Sequence, residues 1–203
     1  NGAINVSEGN YPTQEKLSFM NFPVSGTVST YDSTSICPDS ASTATSLSTG
    51  EKTLSSVINM DETKTKSYET ITEKLKEQLG YKVGIVTSVN IDHATPGAYY
   101  AHVPARSQYY DMGLQLVDSD FDYFAGGKFL SDTSKEVTEQ GKTPIAKLAE
   151  EKGYKIADTN EEIKSLKSGD EKVIAICPEN EVEEESGALK YDLDRNENEL
   201  TLA

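Results

Sequence analysis

Residues Ser67–Val89 read SYETITEKLKEQLGYKVGIVTSV. Tyr68, Ile71, Leu75 and Leu79 recur at spacings of three and four, and Gly80 follows the last of them. That pattern predicts an amphipathic helix over Ser67–Gly80 with one apolar stripe. The β-branched run Lys82–Val89 begins almost at once and is too short for a second helix, so it reads as a strand. A helix that feeds straight into a strand is the step from which α/β sheets are assembled.

The same grammar recurs further along. TPIAKLAEEKGY, Thr143–Tyr154, is a helix with Pro at its start and Gly at its end. It leads into YKIAD, then EEIKSLKSGD, then the uninterrupted apolar run KVIAIC at Lys172–Cys177. Such runs suit strands covered on both faces, as in a parallel or mixed sheet. Upstream, LSFMNFPVSGTVSTY at Leu17–Tyr31 alternates Thr, Val, Ser and Tyr and is expected to form a strand. SDTSKEVTEQGK at Ser131–Lys142 is polar apart from Val137 and is expected to be a surface excursion. No internal repeat is visible, and the chain reads as a single domain over residues 1–203.

The 203 residues are enough for one sizeable core. With 34 acidic against 19 basic residues, the formal charge is -15, and Glu179–Glu185 (ENEVEEE) forms the densest patch. Binding to a phosphate backbone needs basic clusters, so nucleic acid is not an expected partner. No run reaches the about 18 apolar residues that a membrane-spanning helix requires. Cys37 and Cys177 match no zinc spacing and read as two buried thiols, with at most one bridge between them. The chain opens on NGAINVSEGN without a signal-like segment and closes on NELTLA, which looks like the start of a helix; both ends read as cuts in a longer protein.

Two stretches carry chemistry. The first is CPDSASTATSLSTGEKT, Cys37–Thr53, in which seven of the ten residues from Ser40 to Thr49 are Ser or Thr. A helix opening near Asp39 and capped by Gly50 accounts for its layout, and such a small-sided helix can approach a neighbour closely. Either Asp39 or Ser40 alone is adequately explained as an N-cap. The helix start also offers free N–H groups and a partial positive charge, which favour an anion such as phosphate. The second stretch is NIDHATPGAYYAHVPAR, Asn90–Arg106, placed just after a predicted strand, where ligands sit in open α/β sheets. His93, Thr95 and Arg106 stand together there, and a guanidinium matches two phosphate oxygens with its planar fork. Singly, each has an ordinary structural explanation, and His102 is assigned only that.

Together, DSASTATSLSTGEKT and DHATPGAYYAHVPAR resemble the alkaline phosphatase family, and the likeness continues more weakly through FDYFAGG at Phe121–Gly127. The resemblance implies a three-layer α/β/α sandwich with a mainly parallel central sheet, here incomplete at both ends. It implies hydrolysis of phosphate monoesters, with inorganic phosphate as product, through a phosphoserine on Ser40. Asp39 then orients Arg106, and Arg106 holds the phosphate. Thr95 corresponds to a magnesium ligand, His93 lies beside the magnesium, and Ser40 contacts zinc. Two zinc ions and one magnesium are implied for the complete enzyme, but neither His93 nor His102 matches a zinc ligand. The 203 residues alone are therefore expected to be inactive. A homodimer and an extracellular or periplasmic location are also implied. The competing readings are a sulfatase or phosphodiesterase, which place a different nucleophile in a different local motif, and a non-catalytic surface binding module.

Overall fold

The structure is a computed structural model that describes residues 21–170 and 172–176. Helix α1 spans Ser40–Thr49 and α2 spans Ile71–Leu79, followed by strand β1, Gly84–Asn90. A short helix α3, Ala94–Gly97, and the longer α4, Tyr109–Asp118, lead to β2, Tyr123–Gly127. After a 3-10 turn at Ser131–Thr133 come α5, Lys135–Thr138, and α6, Ile145–Glu151. Strand β3, Lys155–Ala157, helix α7, Asn160–Ser165, and strand β4, Val173–Ile176, complete the described elements.

All four strands run parallel in the order β1-β2-β4-β3, which makes the fold α/β with a parallel sheet, as the helix-to-strand grammar predicts. The registers align Ile85, Phe124, Ile174 and Ile156 across one face. That row faces a core built from Met112, Leu116 and Val117 of α4, Ile145 and Ala149 of α6, and Phe121 and Tyr154. Phe124 sits at its centre, edge-on to Tyr100 at 5.6 Å and stacked on Phe121 at 6.1 Å. Every residue of β4 is buried, as KVIAIC predicts, whereas β1 lies at the edge and leaves Val86 65% exposed.

The pairing of β1 with β2 slips between Val86 and Asn90. Gly126 of β2 allows it, since a Cβ there would lie 2.6 Å from Thr87 Cγ2 and 2.8 Å from the Val89 carbonyl oxygen. The slip bends the end of β1 across β2, and that end leads into the Ile91–Thr95 segment. Gly113 plays a comparable part in α4, where a Cβ would meet Ile145 Cγ1 at 2.7 Å.

Several expectations need correction. Residues 21–31 form no strand: Phe22, Val24, Val28 and Tyr31 are exposed, and no described strand pairs with this segment to satisfy its amides. Residues 17–20 lie outside the described residues, as do Cys177, Glu179–Glu185 and the NELTLA end. Helix α2 starts at Ile71 rather than Ser67, because Thr70 and Glu73 build a reciprocal capping box. None of its residues is buried, and Ile71 and Leu79 are exposed. Polar contacts hold α2 in place instead: the Thr72 hydroxyl donates to the Tyr99 carbonyl, Glu73 meets His102 and Lys76 meets Asp122. The Ser131–Lys142 excursion is partly inside, since Ser131 is buried and Asp132 accepts from the Ala146 amide at the head of α6. Cys37 is an exposed free thiol rather than a buried one.

Candidate active site

The Ser/Thr content of α1 has a packing cause. Ala41 and Ala44 enter the core, and the hydroxyls on the same side bond inward, Ser42 to Asp32 at 2.8 Å and Ser48 to Asn59 at 3.1 Å. Asn59 is fully buried and donates from Nδ2 to the carbonyls of Ala98 and Ala101, both at 2.8 Å. Small hydroxyl side chains thus fasten α1 to the turn that follows α3. Gly50 caps the helix in the left-handed conformation at φ 82°, as expected.

At the other end, Asp39 is the N-cap and accepts from the Ser42 amide at 3.1 Å. Capping is only part of what it does. Its Oδ2 accepts from Arg106 Nη1 at 3.0 Å, and its Oδ1 accepts from the Ser56 amide at 3.1 Å. Desolvation raises the Asp39 pKa, but the amides of Ser42 and Ser56, the Ser42 hydroxyl and Arg106 outweigh it and hold the carboxyl below its usual range. Asp39 is accordingly a carboxylate at neutral pH. Ser40 is the first helical residue of α1 and is exposed at that end. The ion pair brings Arg106 to the helix start that presents Ser40, so two stretches distant in sequence meet in one place.

Arg106 is anchored twice more. Its amide donates to the Ser56 carbonyl at 2.8 Å, and Nη2 lies 3.3 Å from His93 Nε2. Burial, followed by the charge of Arg106, lowers the His93 pKa and keeps the ring neutral. A guanidinium only donates, so Nε2 is the acceptor and Nδ1 carries the proton. Nδ1 is buried with no hydrogen-bond partner among the described residues. Two of the five guanidinium N–H groups are committed to Asp39 and His93, which leaves the others for an anion.

His93 is the N-cap of α3, and Thr95 lies exposed in its first turn. Asp92, fully buried between them and β1, is a tether: it accepts from the amides of Leu130 at 2.9 Å and Ser131 at 2.7 Å. Desolvation raises its pKa. His102 lies apart from this group and pairs with Glu73 at 2.8 Å, in keeping with a structural role.

Asp32, Ser42, Ser55 and Ser56 join the site without a signal recognised in the sequence. The cue present was TYDSTS, Thr30–Ser35, where an Asp is followed by Ser and Thr able to fold back on it. Of the residues singled out in the sequence only Ser40 is assigned to zinc, and a catalytic zinc takes roughly three protein donors. Among the described residues no group of three or more His, Cys, Asp or Glu could hold a metal ion. These residues alone do not fit a two-zinc, one-magnesium centre.

Comparison with known proteins matches the alkaline phosphatase family model over residues 4–124. Alkaline phosphatase 4 of Drosophila melanogaster is 36% identical over 128 residues, 54% of this chain and 21% of the relative. Alkaline phosphatase 4 of Bacillus subtilis is 29% identical over 196 residues, 94% of this chain and 39% of the relative. The chain thus spans well under half of either relative's length. Among solved structures, the cold-active enzyme of a psychrophilic Shewanella superimposes with a TM-score of 0.60 at 26% identity, over 73% of this chain and 34% of that one. An alkaline phosphatase variant from the Antarctic bacterium TAB5 with Mg bound gives 0.68 at 23% identity, over 82% and 46%. The match over more than half the chain, joined to the parallel sheet, places this polypeptide in the alkaline phosphatase family.

Proposed function

We propose that Ser40, Asp39 and Arg106 form the phosphoryl-transfer centre of a phosphomonoesterase. The Asp39–Arg106 ion pair at 3.0 Å carries this reading, since it delivers a phosphate-binding fork to the helix start that bears Ser40. A monoester dianion is held by the free N–H groups of Arg106 and the amide end of α1. The Ser40 oxygen attacks phosphorus in line as its proton passes to solvent, the ester P–O bond breaks with its electron pair going to the ester oxygen, and that oxygen takes up a proton from solvent and leaves as the alcohol. Water then cleaves the phosphoserine and releases inorganic phosphate. Asp39 fixes the orientation of the guanidinium, so less freedom is lost when substrate binds.

The family likeness supports two zinc ions and one magnesium, with Ser40, Thr95 and His93 among the groups around them. Such ions supply Lewis acidity and an activated nucleophile. The described residues hold too few donors for such a centre, and we infer that the 203 residues need further donors to turn over substrate. An exported, homodimeric enzyme fits the same likeness, and the edge at β1, which no strand among the described residues covers, is compatible with self-association.

The test uses a chromogenic phosphate ester with zinc and magnesium present. In the complete enzyme, Ser40→Ala lowers kcat by at least about 10³-fold and abolishes incorporation of phosphate into protein. Arg106→Ala weakens inhibition by inorganic phosphate. Wild-type turnover by the Ser40→Ala enzyme would defeat the proposal, and full turnover by the isolated chain would defeat its fragment component.

A further inference from the structure

Asp32 is only 4% exposed, and five hydrogen bonds converge on its carboxylate. Oδ1 accepts from the Thr34 amide and hydroxyl, both at 2.8 Å, and from the Ser35 amide at 2.7 Å. Oδ2 accepts from two hydroxyls on separate segments, Ser42 of α1 at 2.8 Å and Ser55 at 2.6 Å. Each of those serines leads to Asp39. The Ser42 hydroxyl lies 2.9 Å from Asp39 Oδ1 as well, so its single proton lies between two carboxylates.

Ser55 precedes Ser56, whose φ of 68° is a costly conformation for a residue with a side chain. In that conformation the Ser56 amide reaches Asp39 Oδ1 at 3.1 Å and its carbonyl receives the Arg106 amide at 2.8 Å. The Ser55 hydroxyl therefore ties a strained turn to Asp32, and that turn holds both members of the ion pair.

We propose that Asp32 is a positioning residue for the phosphate clamp, acting through Ser42 and Ser55 on Asp39 and, through Asp39, on Arg106. The clamp itself rests on the function proposed above. The placement of Asp32 does not, since it orders a guanidinium whatever anion that group binds. Asp32 touches neither Ser40 nor Arg106 in the described contacts, so its effect is indirect. A carboxylate suits the place because all five partners donate.

Two readouts test this. In the chain itself, hydrogen exchange of the Arg106 guanidinium protons followed by NMR becomes about tenfold faster in Asp32→Ala and in Ser42→Ala, a coupling of ordinary size for hydrogen-bonded neighbours. In the complete phosphatase, Asp32→Ala raises the inhibition constant for inorganic phosphate about tenfold, but adds clearly less than that on an Asp39→Ala background, where only the Ser56 carbonyl still links the turn to Arg106. Should Asp32→Ala fail to fold, Ser42→Ala, which removes one link only, decides the matter. Unchanged Arg106 exchange in a folded Ser42→Ala protein overturns the proposal, as do additive effects with Asp39→Ala. Faster Arg106 exchange in a protein that never binds phosphate upholds the positioning and sinks the assigned function instead.

Discussion

Helix α2 has no fully buried residue, so polar contacts carry much of its attachment, and the Glu73–His102 pair is one that reports its own state with pH. His102 Nε2 lies 2.8 Å from Glu73 Oε1 while Nδ1 lies 3.3 Å from the Asn59 carbonyl. Both ring nitrogens face acceptors, an arrangement that only the imidazolium satisfies fully. Burial lowers the His102 pKa, but Glu73 and the Asn59 carbonyl outweigh it and raise the value; for Glu73, desolvation is outweighed by His102 and the cap, which lower it. The pair is 17% and 24% exposed, between the exposed and the fully buried cases, so its loss costs about 1–2 kcal/mol. Glu73→Gln is the informative change, because Gln still serves the capping box at Thr70 and removes only the charge.

For a unit of this size that cost lowers Tm by about 2–8 °C near pH 6. His102 contributes fully below its unfolded pKa of about 6.5 and loses that contribution as pH rises through its raised folded value. Glu73 contributes above its unfolded pKa of about 4.3 and loses that contribution as pH falls through its lowered folded value. The Tm difference between native and Glu73→Gln chains, followed by circular dichroism from pH 4 to 9, is therefore widest between those limits and narrows toward pH 9. A difference that stays constant to pH 9 would refute the charged-pair argument, and so would no difference at pH 6.

Gly126→Ala forces a Cβ to within 2.6 Å of Thr87 Cγ2 and 2.8 Å of the Val89 carbonyl oxygen, so it destabilises by about 1–3 kcal/mol in urea unfolding. Phe124→Ala empties a fully buried site ringed by Tyr100, Phe121 and Tyr154 and costs about 3–5 kcal/mol in the same measurement. Cys37, exposed and free, is alkylated in the folded chain without denaturant, and Cys37→Ser leaves Tm within about 1 °C; protection until unfolding would contradict its placement. Arg106→Lys keeps the charge but not the fork, so the Asp39–His93 arrangement weakens and phosphate inhibits the complete enzyme less strongly.

The sequence by itself determined the elements whose signals are local. The helix start at Asp39 or Ser40, the closing Gly50 and the run Val173–Ile176 depend on neighbours a few positions away, and each lies where its pattern put it; the structure decides that Asp39 is the cap. The Asp-Ser dipeptide and the Arg106 segment were recognisable as family motifs for the same reason. Helix α4 and strand β2 were not read as elements, although they form the centre of the core. Contacts between distant segments were decided only in three dimensions. Residues 21–31 alternate like a strand, yet a strand exists only where another backbone pairs with it. The stripe on α2 has helical spacing, yet none of it within the helix is buried, and the helix is held by its polar residues Glu73 and Lys76 instead. Asp39 accepts from Arg106 across 67 positions, and Asp32 accepts from Ser55 across 23, because folding closes those loops. Spacing along a chain encodes the period of a helix or strand, whereas the meeting of two loops is set by the packing of everything between them.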